Sequence, residues 1–427
     1  MKTLELQPFS HPINAEVIVP GSKSYTNRAL LISALCEGKT VIDGALYSDD
    51  TYHMVESLRK LGIRVTSDEA NQRFVVEGCG GKIPVGQAEL YIGNSGTTAR
   101  FLTAFLGLGN GEYVVDGNER MRERPIQDLI DGLAHWGVDI TSVNDDGCLP
   151  ITIRANGLSG GRTFMPGDKS SQYFTALMLV ASYANENSDI QVEGELQSKP
   201  YIDMTADIMS KFGVEIAIDG YNTFQVRSGQ RYHSRQFTVE PDATNATYFF
   251  AAAAITGGRV VVRNLTTASA QGDVGFVKVL AQMGCKVHKQ SDAIVVEGHD
   301  ILRGIDVDMN DMPDAVQTLA AIAPFAEAPV TIRNVPNLRI KETDRIDAMA
   351  TELTKLGIQV DVWSDGMRIH PTPEILPASL DTYDDHRMAM SLALIGLRAL
   401  GVVINDPECV NKTFPTYFET LSGIQPD

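Results

Sequence analysis

Cysteine is sparse in this chain and carries no pattern. The five in 427 residues, Cys36, Cys79, Cys148, Cys285 and Cys409, are odd in number, scattered and never spaced as CxxC. That excludes a disulfide framework or a zinc site and fits reduced thiols in the cytoplasm. No apolar run approaches the ~18 residues of a membrane-spanning helix, and Met1-Lys2-Thr3-Leu4-Glu5 lacks an apolar signal core. The expectation is a soluble cytosolic protein. Positive charge is also short: 36 Lys and Arg against 54 Asp and Glu leave a net charge of −18, which argues against nucleic acid or an anionic membrane as partner. Any cluster of cations must therefore be local and specific. There is no HExxH spacing, so no metal is expected, and no low-complexity linker.

What the chain does have is a period. Six polar heads run straight into apolar helical stretches: Ser22-Lys23-Ser24, Ser95-Gly96-Thr97, Ser170-Ser171-Gln172, Thr244-Asn245-Ala246, Pro313-Asp314 and Asp385-His386-Arg387. From Ser24 through Gly96, Ser170, Thr244 and Asp314 to Asp385 the steps are 72, 74, 74, 70 and 71 residues. A whole-chain period means six copies of one unit.

Two further registers repeat in phase. β-Branched runs closed by Gly, Asn or Asp occur at residues 40–44, 113–117, 190–194, 260–264, 330–334 and 402–406 and predict strands ending in turns. An amphipathic helix stopped by glycine and followed by another strand recurs at Gly62, Gly137, Gly213, Gly284 and Gly357, positions suited to a left-handed helix stop. Each unit is roughly βαβαβ in content. A chain of this length exceeds one ordinary core and suits two domains of three repeats each, with candidate boundaries at Pro20-Gly21 and Glu240-Pro241.

Helix starts carry free N–H donors and the positive end of the helix dipole. One polar head is an ordinary N-cap; several converging heads make an anion site. Four of the six have cations beside them. Gly21 to Arg28 combines a glycine turn, hydroxyls, Lys23 and Arg28, donors suited to phosphate or carboxylate, although the second glycine of a Walker A loop is missing. Gly93 to Arg100 lets a ligand approach the backbone. Arg120, Arg122 and Arg124 stand on alternate positions, which a strand would set on one side. In the C-terminal half, a helix through Lys341 and Arg345 would put both cations on one face beside Glu342, and Asp384, Asp385, His386, Arg387 and Lys412 follow.

The segments PGSKSYTNRAL, GNSGTTARF, RMRERPI, SSQYFTAL, SKPYID, MPDA, KETDR, DDHRMAM and KTFPTYF, in this order over nearly the whole chain, resemble the 5-enolpyruvylshikimate-3-phosphate synthase family. The resemblance implies an α/β, two-domain enolpyruvyl transferase fold of six βαβαββ repeats, three per domain. Residues 1–20 plus 241–427 would form a discontinuous domain and 21–240 the other, with the active site in the interdomain cleft. It also implies transfer of the carboxyvinyl group of phosphoenolpyruvate to the 5-hydroxyl of shikimate-3-phosphate, releasing phosphate, by a monomer needing no metal or cofactor.

By the same similarity Lys23, Ser24, Arg28, Ser170, Ser171, Gln172, Ser198, Tyr201, Asp314, Asn337 and Lys341 would hold shikimate-3-phosphate. Lys23, Gly96, Arg124, Gln172, Arg345, Arg387 and Lys412 would hold phosphoenolpyruvate. Asp314 would accept the hydroxyl proton and Glu342 would protonate the vinyl methylene, with Lys23 near both substrates. Paired cations are what two phosphates and two carboxylates require when taken out of water.

The chain departs from the family at Ser95, Thr98, Ala99 and Phe101, where members sensitive to the inhibitor glyphosate commonly read Ala, Ala, Met and Pro. Phe101 in place of Pro would tilt the helix carrying Gly96, which puts glyphosate sensitivity, not catalysis, in doubt. Two other readings stay open. UDP-N-acetylglucosamine enolpyruvyl transferases share fold and donor but use a loop cysteine, and none stands near residues 120–124. A non-catalytic sensor of phosphorylated metabolites would have no use for Asp314 and Glu342.

Overall fold

Five of the six heads cap their helices through a side chain. In the computed structural model, which describes residues 2–425, the helices Lys23–Leu35, Gly96–Leu106, Ser171–Ala181, Ala243–Thr256 and His386–Gly396 start behind Ser22, Ser95, Ser170, Asp242 and Asp385, each accepting a backbone N–H of the first turn. The fourth cap is Asp242, two residues before the Thr244 head. The fifth head enters differently, through the 3-10 turn Pro313–Ala315 that leads into Val316–Ile322. These helices are buried nearly all round, as their apolar sequences demand. The second helix of a repeat, as in Asp49–Lys60, Pro200–Lys211 or Arg345–Lys355, is amphipathic and half exposed.

The strands repeat with equal regularity. Five four-stranded sheets share one pattern, a parallel outer pair followed by two antiparallel strands. In Gln87–Tyr91, Asn110–Asp116, Ile151–Asn156 and Asp139–Ser142, for example, Gln87 pairs with Glu112 in parallel and Glu112 with Arg154 in antiparallel register. The five glycines expected to stop helices all have positive φ, from 78° at Gly357 to 106° at Gly284.

Three sheets take an outer strand from far away in sequence, one of them the three-stranded sheet in which Thr3–Glu5 pairs in antiparallel register with Val402–Asn405. Asn14–Val17 pairs in parallel with Arg259–Arg263, and Gln236–Thr238 pairs in parallel with Glu37–Asp43. The chain divides accordingly into two compact units, Met1–Pro20 with Pro241–Asp427, and Gly21–Glu240. Each has its own hydrophobic core. In the first, the helices Ala243–Thr256, Val316–Ile322 and His386–Gly396 pack on one another; in the second, Gly96–Leu106 packs on both Lys23–Leu35 and Ser171–Ala181. Among the described residues no helix is long and apolar enough to cross a membrane.

Candidate active site

In the unit Gly21–Glu240 the polar heads are tied together by Arg28. Its position in the first head helix puts the guanidinium inside the protein, 1% exposed. Nε donates to Thr205 Oγ1 at 2.9 Å, Nη1 to the Ser24 carbonyl at 2.9 Å, and Nη2 to the Tyr201 carbonyl at 3.3 Å and Thr175 Oγ1 at 3.5 Å. The Phe101 ring lies 5.3 Å away. Among the described residues no carboxylate comes within ion-pairing distance, so burial pulls Arg28 down to about 10. A buried cation held only by neutral acceptors is an anion-binding arrangement.

The other heads of this unit are similarly wired. Lys23 Nζ lies 3.3 Å from Asp50 Oδ2. Arg124 reaches back to Asn94, donating to its backbone and side-chain oxygens at 3.3 Å each, and Arg100 donates to the Gly96 carbonyl at 3.1 Å. A Cβ on Gly96 would stand 2.6 Å from both Arg100 Nη1 and Arg124 Nη2, so only glycine lets the two guanidinium groups lie against this helix start. Gln172 bridges to the second head through Thr97 Oγ1 at 3.3 Å. Ser170 caps its helix, Ser171 is buried, and Ser198 adopts φ 59° one turn before Tyr201.

In the unit containing residues 241–427, Arg345 is the hub. It is 1% exposed and donates to Asp385 Oδ2 at 2.7 Å through Nε, to Asp314 Oδ1 at 2.9 Å through Nη1, and to Glu342 Oε2 at 2.9 Å through Nη2. Burial opposes its charge, yet Asp385, Glu342 and Asp314 together hold it protonated above the usual arginine range. Arg387 donates to the other oxygen of Asp314 at 2.9 Å and to the Tyr248 hydroxyl at 3.4 Å. Lys412 Nζ lies 3.7 Å from Glu342 Oε1. Asp314 and Glu342, the two carboxylates expected to move protons, are thus both held by cations expected to bind phosphoenolpyruvate. Asn337 is buried on the turn Pro336–Ile340, and Lys341 closes that turn.

Two sequence expectations fail here. Arg120, Arg122 and Arg124 do not share one side of a strand, because Met121–Glu123 is a 3-10 turn. Arg120 pairs with Glu123 and Arg122 with Asp116, while Arg124 turns to the Gly96 head. Lys341 and Arg345 do not share a helix face either, since Asp344 caps a helix that begins at Arg345.

Several participants escape sequence reading. Thr205 and Tyr248 stand four residues after Tyr201 and Thr244, the one-turn helical spacing, and this is their only signal. Asp385 is legible as a helix head, but its pairing with Arg345, forty residues earlier in sequence, is not.

Comparison with known proteins supplies independent information. The family model for EPSP synthase (3-phosphoshikimate 1-carboxyvinyltransferase) matches residues 9–421. A 3-phosphoshikimate 1-carboxyvinyltransferase of Nostoc punctiforme is 49% identical over 98% of both chains, and one of Marinomonas is 47% identical over 99% of this chain and 100% of its own. A solved EPSP synthase structure from Acinetobacter baumannii superposes with a TM-score of 0.84 at 24% identity, covering 100% of this chain and 98% of that one; it bears on the fold.

Proposed function

The chain belongs to the EPSP synthase family, and from that membership we propose which of its residues carry the family's reaction. The enzyme transfers the carboxyvinyl group of phosphoenolpyruvate to the 5-hydroxyl of shikimate-3-phosphate, giving 5-enolpyruvylshikimate-3-phosphate and phosphate in the shikimate pathway toward chorismate and the aromatic amino acids. Transfer to UDP-N-acetylglucosamine is not favoured, given full-length relatives named for the shikimate reaction.

In our reading, Arg28, Ser24, Ser170, Ser171, Gln172, Ser198, Tyr201, Asn337 and Lys341 hold shikimate-3-phosphate. Gly96, Arg124, Gln172, Arg345, Arg387 and Lys412 hold phosphoenolpyruvate, and Lys23 serves both. Asp314 takes the 5-hydroxyl proton as that oxygen bonds to C2 of phosphoenolpyruvate, while Glu342 delivers a proton to C3. The resulting tetrahedral adduct returns a methyl proton to Glu342 and expels phosphate, restoring the double bond. Two carboxylates of opposite role suit one site when their surroundings differ.

The observation that carries this reading is the double grip of Arg345 and Arg387 on Asp314, with Arg345 and Lys412 on Glu342. Binding is then an exchange of partners: the anions of phosphoenolpyruvate take over the cations, and each released carboxylate becomes a better proton acceptor. Phosphate release from phosphoenolpyruvate that depends on shikimate-3-phosphate tests the assignment, and independence from shikimate-3-phosphate would sink it. The same proposal covers a cytoplasmic, monomeric enzyme with glyphosate as a competitor of phosphoenolpyruvate, checked by fractionation, sedimentation and inhibition kinetics.

A further inference from the structure

The fourth head carries no cation and was assigned no substrate, yet polar groups are buried around it. Asp242 caps the helix by accepting from Asn245 N at 3.0 Å. Gln271 ties the neighbouring 3-10 turn Gly272–Gly275 to the same helix start, accepting from Ala243 N at 3.0 Å and donating to the Pro241 carbonyl at 2.8 Å. This turn carries Asp273, which is 5% exposed and whose Oδ1 has no hydrogen-bond partner. The turn packs on Pro313–Ala315, the turn bearing Asp314. A Cβ on Gly275 would come 2.9 Å from Met312 Cε.

The charges facing Asp273 are Asp314 from that turn, Arg387 from the sixth head helix and Asp242 from the fourth helix cap, and the nearby Thr244 hydroxyl favours its ionised form. The helix that follows, Phe276–Gln282, turns Phe276, Val277, Val279 and Leu280 inward and leaves Lys278 exposed. Three carboxyl groups thus share few cations. Asp314 takes both arginines and Asp242 takes the helix N–H, while among the described residues no cation is bonded to Asp273. Burial first, and then the charge of Asp314, push Asp273 up to about 7.

We propose that Asp273 is a positioning residue: neutral, it leaves Arg387 directed at Asp314 and phosphoenolpyruvate; ionised, it draws Arg387 away and repels the anionic substrate. This rests on the reading of Arg387 as a phosphoenolpyruvate ligand. Because the group sits near neutrality, the affinity for one substrate falls with rising pH, and the other substrate, which Arg387 does not hold, is the internal reference.

The test is the KM for phosphoenolpyruvate across pH 6 to 9 in the wild type and in Asp273→Asn, with thermal unfolding over pH 4 to 8 alongside. If only the neutral form binds well, the wild-type KM rises about fivefold between pH 7 and 8. The Asn variant lacks that rise, and any slope from substrate ionisation is common to both. The KM for shikimate-3-phosphate does not share the rise. Folded Asp273 keeps a proton that the unfolded chain releases at about pH 4, so wild-type stability falls as pH climbs from about 4 to about 7, and the Asn variant lacks that part of the fall. Asp273→Ser, likewise unable to ionise, repeats both measurements where the amide disturbs packing. A KM slope that persists unchanged in the variants, or identical stability profiles, overturns the proposal. If the stability difference appears and Arg387→Lys leaves the phosphoenolpyruvate KM unaltered, the assignment of Arg387 falls instead.

Discussion

Arg345 Nη1 stands 2.9 Å from Asp314 Oδ1, an arginine with almost no exposed surface bonded to the carboxylate proposed as the base. The bond makes Asp314 a structural anchor as well as the proposed reactant. Asp314→Asn keeps the shape and one hydrogen-bond acceptor while removing the proton acceptor. Turnover should drop by about 10² to 10⁴, the range of a positioned base. Phosphate release and thermal unfolding measured together check this, and a variant that folds and turns over normally removes Asp314 from the mechanism.

Arg28 is costly to the protein by itself, since a buried charge with only neutral acceptors is poorly compensated. Arg28→Met should therefore keep or raise the melting temperature measured without substrate. It should also raise the KM for shikimate-3-phosphate by about ten- to a hundredfold, through loss of a charge-assisted contact of ~1.5–3 kcal/mol. A collapse in melting temperature with the KM unmoved would show Arg28 to be purely structural.

At Gly96 a methyl group would first meet the flexible ends of Arg100 and Arg124. Gly96→Ala should leave stability within a few degrees while displacing Arg124. The KM for phosphoenolpyruvate should rise by about ten- to a hundredfold, and that for shikimate-3-phosphate by much less. Equal rises in both would point to a general distortion of the helix start.

Phe101 lies inside the helix Gly96–Leu106 and under the Arg28 guanidinium. If it narrows the space before Gly96, glyphosate, the longer molecule, loses more than phosphoenolpyruvate, by about 1–3 kcal/mol. Phe101→Pro should then lower the glyphosate inhibition constant relative to the KM for phosphoenolpyruvate. Proline within a helix removes a hydrogen bond and costs ~3 kcal/mol where nothing compensates, so unfolding is followed in parallel. A wild type already strongly inhibited, with neither constant moved by the substitution, refutes this view of Phe101.

The repeat was legible because it is written in local chemistry. Serine and aspartate caps, all-apolar helices and glycines of positive φ each leave a mark in the sequence within a few residues, and all six helices and strands lie where those marks put them. Partner choice left no such mark. Nothing local tells Arg124, which turns inward, from Arg120 and Arg122, which pair with Glu123 and Asp116, because a 3-10 turn and not an alternating strand sets their directions. Arg345 joins carboxylates from three separate segments. Asp273 sits in an ordinary Gln-Gly-Asp stretch and becomes unusual only through its buried, cation-poor surroundings.

The long-range pairing of the two parallel outer strands sets an order of events during synthesis. Gln236–Thr238 is made just after the segment it completes, so the unit Gly21–Glu240 has all its strands once about residue 240 has emerged. Asn14–Val17 must wait for Arg259–Arg263. At about 5–20 residues per second that is a wait of roughly 12 to 50 s, during which the strand's hydrogen-bonding edge has no sheet to join. Asn14–Val17 therefore stays unpaired while the whole unit Gly21–Glu240 is made, and the later unit takes one of its strands from a segment made before the earlier one.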